Sequence, residues 1–355
     1  MQRATLTRYD ATRDDLAALL SSWGEPRYRA TQLWSGLWEQ REPLDAITTL
    51  PRALRARLDD ALPLALDVVV DQTARDTTRK WLWRTGDGAQ LETVLMQYAR
   101  RSTVCISSQA GCAMGCTFCA TGQAGFERHL TAGEIVEQVL RASHGAPQRV
   151  GNVVFMGMGE PLANVDPVLD AITRLHQDVG LSARHVTVST VGIVPGMQRL
   201  ADFPLPVTLA VSLHAPDDAL RDRLVPVNRR YPIEDVLAAA RDYATRKGRR
   251  VTFEYAAIEG VNDHVAQAAA LGRLLAGFPA GAHVNVIPLN PTSDFAGAAS
   301  ARDRLVAFAA GLEERGVHAT IRRNRGVDID AACGQLRARG AAGTSSATGS
   351  AKMER

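Results

Sequence analysis

Apolar residues recur along this 355-residue chain with two different periods, and the change between them divides it. From the start to about residue 75 they fall at helical spacing, in residues 14–24 (DDLAALLSSWG), 27–40 (RYRATQLWSGLWEQ) and 50–62 (LPRALRARLDDAL), with Gly24, Pro26 and Pro43 marking breaks. Leu33, Trp34, Leu37 and Trp38 form one stripe, whose default reading is core packing and whose secondary reading is a partner surface. Residues from about 78 to 100 alternate as strands do, and Gly86-Asp87-Gly88 within them suits a hairpin turn. From Val104 onward short β-branched runs, beginning with VCIS and NVVFMG and ending with HATIRR, alternate with helical stretches such as 131–145 and 233–248. Repeated strand-then-helix units predict an α/β fold with a parallel sheet, as a barrel or an open part-barrel.

In such folds the working residues sit at the carboxyl ends of the strands. Here those ends read Met158-Gly159-Glu160-Pro161, Ser189-Thr190, Ser212-Leu213-His214 and Leu289-Asn290-Pro291. Glycine lets a ligand approach the backbone, a carboxylate holds an ammonium, and serine, histidine and asparagine offer neutral hydrogen bonds to a carboxylate, ribose or base. Each cluster alone is a weak signal, because polar residues end most strands. Four around one barrel mouth are harder to dismiss.

Composition narrows the picture. A net charge of +3 carries no strong electrostatic signal for nucleic acid. Of 41 basic residues only Lys80, Lys247 and Lys352 are lysines, a bias that reads as codon composition and devalues isolated arginines. The cluster Arg322, Arg323 and Arg325 suits either phosphate contacts or a solvated basic face. The N-terminal MQRATLTRYDATRDD lacks an apolar stretch and no eighteen apolar residues run together, so a cytoplasmic protein without a membrane span is expected. Five cysteines, an odd number, argue against a disulfide scaffold.

Three of those cysteines stand as Cys112-x-x-x-Cys116-x-x-Cys119 within GCAMGCTFCATG. Three thiolates suit a [4Fe–4S] cluster with one iron left open for a ligand, whereas a structural zinc takes four ligands. The alternatives are a zinc knuckle borrowing a histidine, His129 being the nearest downstream, or simply buried thiols. Cys105 lies on the strand leading into this loop, where a lone cysteine is usually structural. Cys333 sits in the polar segment GVDIDAACGQL, where a thiolate can serve as nucleophile and then carrier.

With these motifs in order, the chain resembles the RlmN/Cfr family of radical SAM RNA adenine methyltransferases over nearly its whole length. The resemblance runs from RYRATQLWSGLW through LETVLM, CISSQAGCAMGCTFCATG, FMGMGEPLAN, VTVSTVGIVPG, AVSLHAP, LVPVNRRYPIEDVL, FEYAAIEGVND and VNVIPLNP to IRRNRGVDIDAACGQL. Departures lie after Pro291 (TSDFAGAAS) and after Arg339, and leave every site residue in place. The resemblance implies a partial (βα)6-type radical SAM barrel in residues 101–339, a small helical RNA-binding accessory domain in 1–75 and a hairpin-like extension in 76–100. The small, polar stretch 340–355 reads as a disordered tail.

The resemblance also implies roles. Cys112, Cys116 and Cys119 would bind one [4Fe–4S] cluster, and Gly159, Glu160, Ser189, Ser212, Leu213, His214 and Asn290 would hold S-adenosylmethionine. Two molecules of it would be used per turnover, the first methylating Cys333 and the second giving a 5′-deoxyadenosyl radical that removes hydrogen from that methyl. The resulting methylene radical would add to C2 of an adenine, an electron-poor carbon that polar methyl transfer cannot reach. Glu92 matches the family's proton acceptor, and Cys105 would release the product by forming a disulfide with Cys333. The implied substrates are an adenine in the peptidyl-transferase region of 23S rRNA and the adenine beside the anticodon of some tRNAs, with an electron donor such as flavodoxin. The nearest rival is a Cfr-type methylation of adenine C8. A radical SAM activase would leave Cys105 and Cys333 idle, and a zinc-dependent RNA-binding module would lack iron and sulfide.

Overall fold

In a computed structural model that describes residues 6–292 and 294–337, the chain opens with three helices, α1 (Arg13–Ser22), α2 (Tyr28–Trp34) and α3 (Arg52–Ala61). A capping box starts α1, where the Thr12 side chain accepts from the Asp15 amide and the Asp15 carboxylate from the Thr12 amide. The end of α2 runs into a π-helical turn over Ser35–Glu39. Gly36 permits it, because a Cβ there would lie 2.6 Å from Ile47 Cδ1. Trp34 stacks on Trp38 with centroids 5.1 Å apart, and Trp38 meets Tyr9 edge-on at 5.6 Å. The stripe seen in the sequence is therefore core.

Four strands follow, β1 (Leu66–Thr73), β2 (Arg79–Thr85), β3 (Gln90–Tyr98) and β4 (Arg101–Cys105). β1 corrects the expectation of helix up to residue 75. Its Val68-Val69-Val70 run is stiff at χ1 and favours extended backbone, and it pairs with β2 through an irregularity between Val68 and Val70. The expected turn at Gly86–Gly88 joins β2 to β3, with Gly88 at φ 93°. A separate ribbon of β5 (Gln109–Gly111) and β6 (Phe126–His129) flanks the short α4 (Ala120–Ala124).

The rest alternates as read: α5 (Ala132–His144), β7 (Val150–Phe155), α6 (Val165–Gln177), β8 (Val186–Thr190), α7 (Val194–Asp202), β9 (Thr208–Ser212), α8 (Asp218–Leu224), α9 (Ile233–Lys247), β10 (Val251–Ala257), α10 (Val265–Leu275), β11 (Ala282–Pro288), α11 (Arg302–Glu313) and β12 (His318–Ile321). The large sheet has the order β1-β2-β3-β4-β7-β8-β9-β10-β11-β12. It is antiparallel from β1 to β4 and parallel from β4 to β12. Six crossovers thus link the parallel strands among the described residues, and β1 and β12 remain as free edges, so the barrel is open. Central strands are covered on both faces and read as apolar runs, with Val188, Leu209, Val211 and Phe253 fully buried.

Polar ties fasten the helical start of the chain to this barrel. The Asp10 carboxylate accepts from the Gly133 amide at 2.9 Å, Glu137 accepts from the Ala65 amide at 2.8 Å, and Arg174 donates to the Tyr9 carbonyl at 2.9 Å. Both parts share one continuous apolar core. No helix among the described residues is long and apolar enough to cross a membrane. The expected tail, 340–355, lies outside the described residues.

Candidate active site

The cysteine loop hangs between β5 and α4 and owes its path to glycines. Gly111 has φ 71°, and a Cβ on it would fall 2.0 Å from the Gly125 carbonyl oxygen. That same carbonyl accepts from the Cys112 amide at 2.7 Å, and the Cys119 amide donates to the Cys116 carbonyl at 3.2 Å. All five cysteines are free thiols. Burial pushes the Cys112 thiol up to about 12 and Cys116 well above its ordinary range, and charge on the neighbouring thiols acts in the same direction. Sulfurs in such surroundings become thiolates when a cationic centre binds them. Among the described residues no group of three or more His, Cys, Asp or Glu side chains is placed to hold a single metal ion. The three thiols are close enough to act on one another electrostatically, and a cubane, in which each iron takes its own thiolate, does not need them to meet at one ion.

Beside this loop, at the carboxyl ends of the parallel strands, lies a cavity of about 160 Å³. Cys116, Cys119, Gly159, Glu160, Ser189, Ser212, His214, Asn290 and Cys333 all contribute to its wall. Gly159 has φ 97°, and its missing Cβ would stand 2.5 Å from that of Gln109. The Glu160 carboxylate is buried, accepting from the amides of Leu162 at 3.0 Å and Val191 at 2.9 Å. Burial outweighs those hydrogen bonds and raises its pKa to about 7. An ammonium at this point would restore the charged form.

His214 adopts φ 61°, and its Nδ1 accepts from the Ala256 amide at 3.0 Å. Burial, helped by the charge of Arg221, lowers its pKa to about 3, so the ring is neutral with its proton on Nε2. Leu213 is fully buried, with its carbonyl taken by Arg221 Nε at 3.0 Å. Ser189 and Ser212 face each other at 3.4 Å between hydroxyls. Asn290 is spoken for within the chain: its amide donates to the Cys333 carbonyl at 2.9 Å and its oxygen accepts from Asn324 at 2.5 Å.

A second, smaller cavity of about 30 Å³ adjoins the first. Cys105 and Cys333 both line it, and Met156, Arg322 and Cys333 belong to the walls of both cavities. The fold thus brings together two thiols that are 228 positions apart in sequence order. Burial first, then Cys333, pushes the Cys105 thiol up to about 12. Glu92 is buried next to this region, with Lys80 Nζ at 3.0 Å and the Arg337 amide donating to its Oε2 at 2.9 Å.

Several residues of this site escaped the sequence reading. Arg322, grouped there with possible phosphate contacts, is half-buried and lines both cavities, where the charges of Cys333, Glu254 and Cys105 raise its pKa. It stands just past β12, so the strand-end rule applied to the last strand singles it out. Arg325 lies over the Tyr98 ring at 4.5 Å and donates to the Gln97 carbonyl at 2.7 Å. Arg221 carried no sequence signal, yet its guanidinium gathers the carbonyls of Val191, Ser212 and Leu213 behind the cavity.

In sequence and in fold the chain is similar to known proteins. The Radical SAM superfamily profile matches residues 106–271. A protein of Frankia alni named as a probable dual-specificity RNA methyltransferase RlmN is 52% identical over 346 residues, covering 93% of this chain and 82% of its own. One from Chloroflexus aurantiacus, with the same name, is 50% identical over 348 residues, covering 93% and 92%. The crystal structure of a radical SAM methyltransferase from Sphaerobacter thermophilus superposes with a TM-score of 0.88 at 49% identity, covering 94% of this chain and 100% of that one.

Proposed function

This chain belongs to the RlmN family of radical SAM methyltransferases, and from that premise we propose that it methylates C2 of an adenine in the peptidyl-transferase region of 23S rRNA and of the adenine beside the anticodon in some tRNAs. The observation that carries this reading is the position of Cys333, which borders the strand-end cavity on one side and the cavity of Cys105 on the other. A carrier thiol has to meet a methyl donor, a substrate and a resolving thiol in turn. Loop adenines, which unstack readily into a pocket, suit such a site.

Cys112, Cys116 and Cys119 would hold one [4Fe–4S] cluster, and Gly159, Glu160, Ser189, Ser212, Leu213, His214 and Asn290 would hold S-adenosylmethionine. Bound there, the cluster supplies the open iron and the electron with which S-adenosylmethionine is cleaved to a 5′-deoxyadenosyl radical. The Cys333 thiolate would take the methyl group of one S-adenosylmethionine, with S-adenosylhomocysteine as the leaving group, and that methyl would give up a hydrogen atom to the 5′-deoxyadenosyl radical, which leaves as 5′-deoxyadenosine. The methylene carbon bonds to adenine C2. Glu92 takes the C2 proton while one electron departs to the enzyme's one-electron carrier, of the flavodoxin class, leaving a thioether. The Cys105 thiolate attacks the Cys333 sulfur, forming a disulfide and breaking the S–CH2 bond, and the released carbanion picks up a proton to become the methyl group. Neutral His214 and the serine pair orient the cofactor through hydrogen bonds without adding charge.

Anaerobically reconstituted protein, given S-adenosylmethionine, a reductant and an unmodified 23S rRNA fragment, should yield 2-methyladenosine by mass spectrometry, and none after Cys333→Ala. Finding 8-methyladenosine would assign the Cfr-type outcome. Cofactor cleavage without an RNA product would overturn the substrate.

A further inference from the structure

Lys80 is a buried lysine in a chain whose basic residues are otherwise arginine save for Lys247 and Lys352. Its ammonium is a compact point charge, whereas a guanidinium is a planar fork. Strand register explains what it serves. In the β2–β3 pair Lys80 lies opposite Val94 and Leu82 opposite Glu92, so Lys80 and Glu92 are diagonal neighbours on one face. By the two-residue period of a strand, that face continues from Glu92 to Val94 and Met96. Both line the cavity of Cys105 and Cys333.

The ammonium sits 3.0 Å from Glu92 Oε1 and donates to the Asp330 carbonyl at 3.2 Å. Asp330 has φ 51°, a left-handed conformation that costs a residue with a Cβ and persists only where neighbours hold it. One side chain therefore fixes both the carboxylate and the turn three residues before Cys333.

We propose that Lys80 is a positioning residue for proton removal from the RNA adduct, setting the place of the Glu92 carboxylate relative to the Cys333 sulfur. The proposal rests on the reading of Glu92 as acceptor of the C2 proton. In that step the C2–H bond breaks, the proton goes to a Glu92 oxygen, the electron pair stays in the ring, and the surplus electron leaves to the one-electron carrier.

The test compares Lys80→Met, Lys80→Arg, Glu92→Gln and the double variant Lys80→Met/Glu92→Gln in reconstituted protein. Two quantities are read: methyl on Cys333 by mass spectrometry, and RNA covalently linked to protein on denaturing gels. Lys80→Met should keep Cys333 methylation while linked RNA resolves about tenfold more slowly, a fraction of the 10²–10⁴ that a general base supplies. Lys80→Arg should recover part of that rate, and Lys80→Met should add nothing to Glu92→Gln. Resolution at the wild-type rate in Lys80→Met would overturn the proposal. So would loss of Cys333 methylation in step with product, the signature of a merely structural role, or additive effects in the double variant. In protein without cofactors, faster amide hydrogen exchange at Arg337 in Lys80→Met reports the same tie, and unchanged exchange counts against it. Failure of the underlying reading is separately visible, because Glu92→Gln would then leave no linked RNA.

Discussion

The strand-end cavity takes its wall from one residue cluster per strand, from Glu160 after β7 to Asn290 after β11, whereas the cavity of Cys105 is closed by β3 and β4 on one side and residues 322–336 on the other. The first is a property of a repeated unit: each parallel strand ends, and the residue that ends it faces the mouth. The second exists only once the chain's last described segment has folded back onto its early strands. Their electrostatics differ in the same sense. Glu160 and His214, which line only the first, are both held near or at neutrality by burial, while the Arg322 cation stands on the wall that the two cavities share, together with Cys333.

Cys116→Ala should erase the distinction altogether. Iron and sulfide bound after anaerobic reconstitution should fall to near zero, disabling both cavities at once, and a wild-type content would place the cluster elsewhere. Cys105→Ala should instead split them. S-adenosylmethionine cleavage should persist within about twofold while methylated RNA falls roughly 10²-fold or more and linked RNA accumulates, a separation of steps that single-turnover kinetics resolves.

Glu160 sharpens the first cavity alone. With its pKa near 7 in the cofactor-free protein, binding of the S-adenosylmethionine ammonium should weaken about tenfold for each pH unit below that value, and calorimetry on Glu160→Gln should show no such slope. The sign for folding is opposite. A carboxyl with a pKa raised on folding holds a proton that the unfolded chain releases, so cofactor-free stability should drop as pH rises from about 4.5 to about 7, and Glu160→Gln should flatten the drop. The smallest effect belongs to Asn290→Ala, which removes the hydrogen bond to the Cys333 carbonyl. A cost of about 1 kcal/mol in denaturant melts is expected, and an unchanged midpoint would show that the loop is held by its other contacts.

What could be read from the chain follows the same divide. Glu160, Ser189, Ser212 and His214 were legible because strand and terminating residue adjoin in sequence. Glu92 was legible only through the resemblance: an acidic residue alternating in a strand looks solvated, and the amide that its carboxylate accepts from belongs to Arg337, 245 positions later. Arg322 was visible only as one of three clustered arginines, since charge pattern does not say which member turns inward. β1 was misread because helical spacing upstream was carried through into the valines of Val68–Val70, whose branching asks for extended chain. The alternation from Val104 onward transferred almost unaltered into parallel strands, since burial on both faces leaves the apolar run as the whole signal.

The shared wall of Met156, Arg322 and Cys333 has a consequence for timing. A sulfur that borders both chambers need only turn, in the proposed reaction, about its own Cα–Cβ bond to change its address, a motion of picoseconds to nanoseconds for an unhindered side chain, whereas a carrier on a swinging arm must wait for its tether to diffuse. In the proposed reaction the clock is then kept by the arrival and departure of the RNA, and the protein can stay nearly still while a carbon atom passes through it.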